Sequence, residues 1–536
     1  MRSLKALALG LTFFLAVSSQ VTVTPLGEQM DLFGHISYVC FLERTGTIPR
    51  PHAPAMPDGI DKIRRILPSP DTGSGERYRQ WAELDPAGRR ELKQAALDPS
   101  NLRTEFTRPN YQTQHPPLYY WILLPVYRWV SQIPLDRQNL VLSLFSVFLA
   151  ALAVPAVYLI FEQSFGSRKG LLATLMVVWL PNYMPFLGRI TNDSLCFPLF
   201  SWSIYLLVQK NNTLRHRVGA AILIGIALFV KSYSLILLPL AVLMSWNLIG
   251  SGRPINSRLR AAALPTLILA FSAASLFFLN WRLSGNLLLL TEVRATAHAP
   301  LIQKIAGMFC LDPVWFYLNG LIRLFWWSGF WSIVSPGLYY YAPIAIFGAV
   351  TAYALFIKRS WRNRLCWREV LPHLVVIFAF VAGMAWHASL FEIANAGSGG
   401  GARSGNEGWY LLVIAPSIFL VLLSPIKWAV SEEIQGRLLL FFASGMVLWN
   451  LLGRLSSYMY WSGSVHIHHF VRGMDLRDTW TAVFDINSWK AWLSLPGIIH
   501  PVWLISLLPL LIAMIGTIYL ISADAHGRKE TQLSGA

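Results

Sequence analysis

Twelve long apolar runs decide what this chain can become. They fall near residues 4–23, 139–162, 171–187, 194–209, 218–231, 233–249, 261–280, 339–357, 370–386, 409–426, 438–455 and 501–521. A helix needs about 20 apolar residues to cross a bilayer core, and an ordinary soluble domain has no use for a dozen such stretches. Only 13% of the residues are charged against 54% hydrophobic. The expected fold class is therefore an all-α polytopic membrane protein, with about twelve transmembrane helices and a large first extracytoplasmic loop. The 22 Trp and 19 Tyr residues suit a structure with many membrane–water boundaries.

A net charge of +17 invites a nucleic-acid partner, but its distribution points elsewhere. With the N-terminus in the cytoplasm, the inside segments hold nineteen cations, from Arg2 and Lys5 through Arg168 and Lys169 to Arg528 and Lys529. They face five acids, Glu369, Glu432, Glu433, Asp524 and Glu530, a balance of +14 out of +17. That asymmetry is a topology signal of the positive-inside kind, and no nucleic acid is required. Cys40, Cys196, Cys310 and Cys366 are scattered without metal-type spacing and predict no disulfide framework.

The spans divide the chain. Residues 1–23 form the first transmembrane helix, retained even though its flanks resemble a signal peptide. Residues 24–138 form an extracytoplasmic loop with interfacial helices, and 139–280 a set of transmembrane helices. A second outer loop at 281–338 follows, then helices over 339–455 with a Gly-rich outer loop at 387–408, a third outer loop at 456–500, and a last helix and cytoplasmic tail at 501–536. Up to residue 117 the first loop balances 12 Lys and Arg against 12 Asp and Glu, as a folded soluble insertion would. Within it, 76–97 reads as one amphipathic helix carrying Trp81, Leu84, Leu92 and Leu97 near one side, and 50–75 reads as loop. The 118–134 stretch, broken by Pro125, Arg128 and Pro134, reads as an interfacial or re-entrant helix.

The chemistry-bearing residues gather on the outer side. Asp31 and His35 stand four apart just past the first span, which puts proton chemistry and a metal ligand type at the bilayer surface. Their plainer reading is the polar face of a short interfacial helix. His115 precedes Pro116 and Pro117, which hold the backbone extended; the same pair also suits a helix start. Asp193, in Thr191-Asn-Asp-Ser194, reads as a functional acid or as a helix cap. Lys231 sits between two apolar runs, placed to meet a phosphate or to snorkel to the interface. Trp326, Trp327 and Trp331 read mainly as interface anchors. His466, His468 and His469 lack a fourth ligand at zinc spacing and read as a polar loop without catalytic role. No phosphate-binding or dinucleotide fingerprint is present, which argues against a nucleotide-sugar donor.

Taken in order, Asp31-x-x-x-His35, Tyr38, Gly46-x-x-Pro49, Gln114-His-Pro-Pro-Leu-Tyr-Tyr120, Arg189-Ile-Thr-Asn-Asp193, Lys231-Ser-Tyr-Ser234, Phe325-Trp-Trp-Ser-Gly-Phe-Trp331 and Glu407-Gly-Trp-Tyr410 form a pattern. It resembles the multi-spanning GT-C glycosyltransferases, and among them the bacterial relatives of the protein O-mannosyltransferase and aminoarabinose transferase group. The resemblance covers roughly residues 25–425. It implies transfer of a sugar from a polyprenyl-phosphate donor to a glycan, lipid or protein acceptor outside the bacterial cytoplasmic membrane.

On the same resemblance Asp31 is the catalytic base and Asp193 its assisting acid. His35, His115 and Tyr410 contact substrate, and cations among Arg189, Lys231 and Arg403 hold the phosphate. The convergence of outer acids and histidines suggests a divalent cation, Mg or Mn, with its ligands left open. Two positions depart from the pattern. Leu32 stands where many relatives carry a second acid, leaving Asp31 alone or with Glu28, and Trp409 stands where relatives often carry arginine. A transporter or lipid flippase, or an inactive relative serving as scaffold, are the alternatives.

Overall fold

The computed structural model describes residues 2–29, 31–68, 76–209, 211–245, 255–289, 295–310, 342–357, 364–395, 408–464, 476–498 and 508–522. The first half runs α1 (Arg2–Val21), α2 (Leu32–Thr45), β1 (Pro54–Pro57), α3 (Gly59–Ile66), α4 (Glu76–Glu83), α5 (Pro86–Leu97), β2 (Phe106–Pro109), α6 (Leu118–Val130), α7 (Leu135–Ala151), α8 (Val154–Phe165), α9 (Ser167–Val178), α10 (Tyr183–Leu187), α11 (Asp193–Leu207) and α12 (Leu214–Leu228). Then come α13 (Leu238–Ser245), α14 (Ile255–Ser284), α15 (Leu301–Cys310), α16 (Ala342–Ala352), α17 (Arg364–Asn395), α18 (Ala415–Ala429), α19 (Glu432–Trp461), α20 (Leu476–Val483) and α21 (Ile486–Leu493).

Among the described residues, six helical stretches are long and apolar enough to cross a membrane: Arg2–Val21, Leu135–Phe165, Ala261–Ser284, Glu369–Ala394, Tyr410–Ala429 and Glu432–Trp461. Four shorter apolar helices accompany them, Asp193–Leu207, Ser232–Met244, Ala345–Phe356 and Leu508–Ser522. The protein is an integral membrane protein built from packed helices. Helix α1 packs against α7, α8, α9 and α10, α11 packs against α12, and α17 against α18. Gly170 lets α9 approach α8, since a Cβ there would meet the Glu162 backbone at 2.7 Å. Large apolar side chains such as Phe271, Phe278, Phe378 and Phe441 point outward from the long helices, as lipid-facing surfaces require.

Several cations assigned to the cytoplasmic side are paired with polar or acidic neighbours. Arg2 pairs with Glu162, Lys427 with Glu369 at 2.6 Å, Lys5 bonds Ser167, and Lys169 bonds Gln435 at 2.9 Å. Helix α1 has 20 residues, so its Arg2 end lies about 30 Å from the end that leads into Asp31.

The stretch expected to form the first outer loop is more ordered than its sequence suggests. Helix α3 and strand β1 occupy part of the 50–75 stretch read as loop, and β1 pairs antiparallel with β2. That small sheet is the one departure from helix and loop among the described residues. The single helix expected over 76–97 is two, because Pro86 occupies the first turn of α5 and Asp85 caps it, accepting from the Gly88 amide at 2.6 Å. Within this pair Trp81 is buried, as its amphipathic spacing predicted.

This loop is clamped to the far end of the chain. Tyr78 and Trp81 share a buried cluster with Met459, Tyr460 and Trp461 of α19 and Trp492 of α21, and the Trp81 indole donates to Ser494. Glu28 is sealed in beside this cluster, where Tyr78 donates a hydrogen bond to it. Burial pushes its carboxyl up to about 8, against the opposing hydrogen bonds of Tyr78 and Trp461. It is absent from the cavity that holds Asp31, which corrects the suggestion that Glu28 assists there.

Candidate active site

The site begins with a backbone irregularity. Asp31 is the residue before α2 and adopts a left-handed conformation, φ 57°, uncommon for a residue with a Cβ and often found where function dictates geometry. Gly34, one turn on, lets the 110–115 segment lie against α2, because a Cβ there would meet Gln112 Cγ at 2.7 Å. Asn110 fastens the same contact by donating to the Gly34 carbonyl at 2.7 Å. Tyr38 donates to the His115 carbonyl at 3.3 Å and stacks on Tyr120 with centroids 3.7 Å apart. His35 Nδ1 is hydrogen-bonded to the Tyr120 hydroxyl at 2.9 Å. The Asp31 turn and the prolines after His115 are thus locked into one unit.

A second unit forms where α11 starts. Lys231 donates to both Asp193 carboxylate oxygens, at 2.9 and 2.8 Å, Tyr233 donates to the same carboxylate, and Thr191 adds a bond at 3.1 Å. Asp193 is thereby engaged side chain to side chain, and the helix-cap reading is corrected: Asn192 holds the cap position and makes no capping side-chain bond. The snorkelling reading of Lys231 is corrected too, since the residue is buried and turned onto Asp193.

One cavity of about 310 Å³ joins the two units. Asp31, His35, His115, Arg189, Asp193, Lys231 and Tyr410 all line it, so seven residues singled out from separate stretches of sequence share a single space. Arg403 lies outside the described residues, as do Trp326, Trp327, Trp331, His466, His468 and His469. Among the lining residues that sequence reasoning did not single out individually are Gln112, Asn192, Tyr233, Phe380, Trp386 and His387. Tyr233 stood inside the quoted Lys231-Ser-Tyr-Ser motif. Trp386 and His387 lie in an apolar run whose periodicity does not say which face meets a cavity.

The electrostatics are asymmetric. Burial raises the Asp31 carboxyl above its ordinary range, with Arg189 and Lys231 opposing the shift. Burial pushes His115 down to about 3, and Lys231 adds to that effect; His35 is lowered for the same first reason. Both imidazoles are therefore neutral at physiological pH. Arg189 is buried, lies 5.0 Å over the Phe186 ring, and its Nε has no hydrogen-bond partner. The opposite wall is apolar, formed by Leu235, Ile236, Phe380 and Met384.

The sequence suggested a divalent cation, Mg or Mn, with its ligands left open. Among the described residues no group of three or more His, Cys, Asp or Glu is placed to hold a metal ion, and Asp193 is already saturated by Lys231, Tyr233 and Thr191.

Fold and cavity together define a helical membrane protein with a buried polar site beside an apolar wall. Residues 114–279 match the family described as dolichyl-phosphate-mannose-protein mannosyltransferase. That stretch contains the Gln114–Tyr120, Arg189–Asp193 and Lys231–Ser234 motifs on which the GT-C resemblance rests. No curated protein matches. Solved structures similar to the chain include ArnT from Cupriavidus metallidurans bound to undecaprenyl phosphate, at 13% identity over 91% of this chain and 75% of that one, TM-score 0.36. The Archaeoglobus fulgidus oligosaccharyltransferase in complex with Zn and sulfate is 14% identical over 91% of this chain, TM-score 0.43. The archaeal oligosaccharyltransferase AglB from the same organism, in complex with an inhibitory peptide and a dolichol-phosphate, is 11% identical, TM-score 0.45. The chain spans 57% and 59% of those two archaeal proteins.

Proposed function

We propose that this protein is a membrane glycosyltransferase that moves a sugar from a polyprenyl-phosphate donor to an acceptor on the outer face of a bacterial cytoplasmic membrane. The observation that carries the reading is the cavity itself: a carboxylate of raised basicity, a buried arginine with an unpartnered donor, and an apolar wall within one space. The family match over residues 114–279 supports the same class.

In the reaction, the acceptor's hydroxyl or amide oxygen or nitrogen attacks the anomeric carbon of the donor. Asp31 removes the proton from that nucleophile as the new bond forms; its raised basicity suits it to the task. The bond between the anomeric carbon and the phosphate oxygen breaks, and the electron pair stays on the lipid phosphate. Arg189 holds that phosphate and offsets the charge that grows on it. Asp193, fixed by Lys231, keeps Lys231 and Tyr233 in register around the reacting centre. The apolar wall takes the first isoprenoid units of the lipid. The positive-inside asymmetry directs the cavity away from the cytoplasm. The acceptor is a glycan, lipid or protein.

A transporter would expose ionisable groups along a path through its spans. Two such groups, Arg454 and His373, are buried in α19 and α17, but both are tied to neighbouring helices. Arg454 bonds Ser19 and the Ala16 carbonyl of α1, and His373 is hydrogen-bonded to Ser417 at 3.0 Å. Neither lines the cavity.

The deciding experiment is sugar transfer from polyprenyl-phosphate pools by membranes carrying wild-type protein or Asp31→Asn at equal abundance. Transfer by the wild type and its loss in the variant are expected; no transfer by the wild type above a deletion strain would sink the reading.

A further inference from the structure

The cavity carries more polar groups than the reaction uses. Gln114, Asn192 and Ser232 line it and are 3%, 1% and 7% exposed. Each has a side-chain atom without a hydrogen-bond partner: Gln114 Oε1, Asn192 Nδ2 and Ser232 Oγ. Gln112 adds a fourth, its Oε1, while the rest of its amide group engages Asp31. Native proteins leave few buried polar groups unpaired, and several at one place call for a missing partner.

Their placement says what the partner is. Gln112, Gln114, Asn192 and Ser232 line the same cavity as Asp31, His115, Asp193 and Lys231. The residues that carry the unpaired atoms therefore stand around the reacting groups. The set is mixed, with two carbonyl acceptors, one amide donor and one hydroxyl that does both. A phosphate only accepts, and two carbonyl oxygens repel it. A lipid chain satisfies none of the four. A ring bearing several hydroxyls both donates and accepts, and it pairs with all of them.

We infer that Gln114, Asn192 and Ser232, together with Gln112, form the subsite that reads the hydroxyls of the transferred sugar. This rests on the glycosyltransferase reading, and assigns Arg189 to the phosphate and the four neutral side chains to the sugar.

The test compares two ligands on the full-length protein in nanodiscs: bare undecaprenyl phosphate, and undecaprenyl phosphate carrying each of a panel of neutral hexoses. The wild type is expected to hold at least one sugar-loaded lipid about tenfold more tightly than the bare one, about 1.4 kcal/mol by the affinity relation. Gln114→Met and Asn192→Leu should each bring that ratio toward one and leave the bare lipid's affinity unchanged. A packing role would weaken both ligands together. Ser232→Ala removes a single atom and keeps the comparison available should a larger substitution misfold. A wild type without preference for any loaded lipid, or folded variants that keep the full preference, would overturn the subsite and leave the lipid-phosphate reading standing. A wild type that binds neither lipid removes that reading and the subsite with it.

Discussion

Lys231 reaches across 38 residues of sequence to place its ammonium 2.9 and 2.8 Å from the two carboxylate oxygens of Asp193, with both side chains buried. Each charge is tolerable there only because of the other. Removing one partner from such a pair costs about 3–5 kcal/mol, because the remaining charge stays buried and uncompensated. Lys231→Met and Asp193→Asn should each lower the melting temperature in detergent, and the double variant should recover part of the loss. Additive losses in that cycle would show the two residues to be independent.

Asp31→Asn keeps shape and removes the base. Sugar transfer is expected to fall about 10²–10⁴-fold, the usual contribution of a positioned general base, while the melting temperature stays near that of the wild type. The pH profile gives a second readout. Asp31 acts only when deprotonated, and burial raises its carboxyl, so the rate should climb with pH through a range above that of an ordinary aspartate. His115, pushed down to about 3, stays neutral throughout. An acid limb unchanged in a His115→Gln variant that retains activity would agree with this assignment.

Arg189→Gln should act on the lipid phosphate. A charge-assisted hydrogen bond is worth about 1.5–3 kcal/mol, so affinity for bare polyprenyl phosphate should drop roughly tenfold to a hundredfold. Equal binding by variant and wild type would assign the phosphate to another cation.

Glu28 makes stability pH-dependent in an unusual direction. Its carboxyl titrates near 8 when folded and near 4.5 in its unperturbed state. The folded protein therefore holds a proton that the unfolded chain releases, and this contribution is complete below about pH 4.5 and lost as pH rises through 8, at about 1.4 kcal/mol per pH unit. Glu28→Gln should match the wild type near pH 5 and melt at a higher temperature near pH 8. The same melting point for both proteins at pH 8 would show that Glu28 ionises freely in place.

The helical architecture was legible because burial in lipid writes itself as long apolar runs, and all twelve runs carry helix within the described residues. Seven site residues were legible because charged or ring groups beside glycines and prolines stand out at the ends of such runs. The pairing of Lys231 with Asp193 was hidden, since two helix termini must pack before the residues meet. Strands β1 and β2 were masked by Pro54, Pro57 and Pro109, which argue locally against a strand. Of the four residues proposed to read the sugar, Gln114, Asn192 and Ser232 stood inside quoted motifs without being singled out, because neutral Gln, Asn and Ser beside a charged residue look ordinary until their hydrogen bonds are counted.

The clamp between the first outer loop and the end of the chain also sets an order of events during synthesis. Trp81 bonds Ser494, 413 residues further on, and Tyr78 and Glu28 settle against Tyr460 and Trp461. Residues 26–97 are made long before residues 459–494, so until the later ones exist Glu28 has no cluster to be buried in. Only once Tyr460, Trp461 and Ser494 are in place can Glu28 be sealed in, and burial then favours its protonated form. Closing the clamp is thus coupled to proton uptake by Glu28, so the acidity around it weighs on whether the two ends of the chain stay joined.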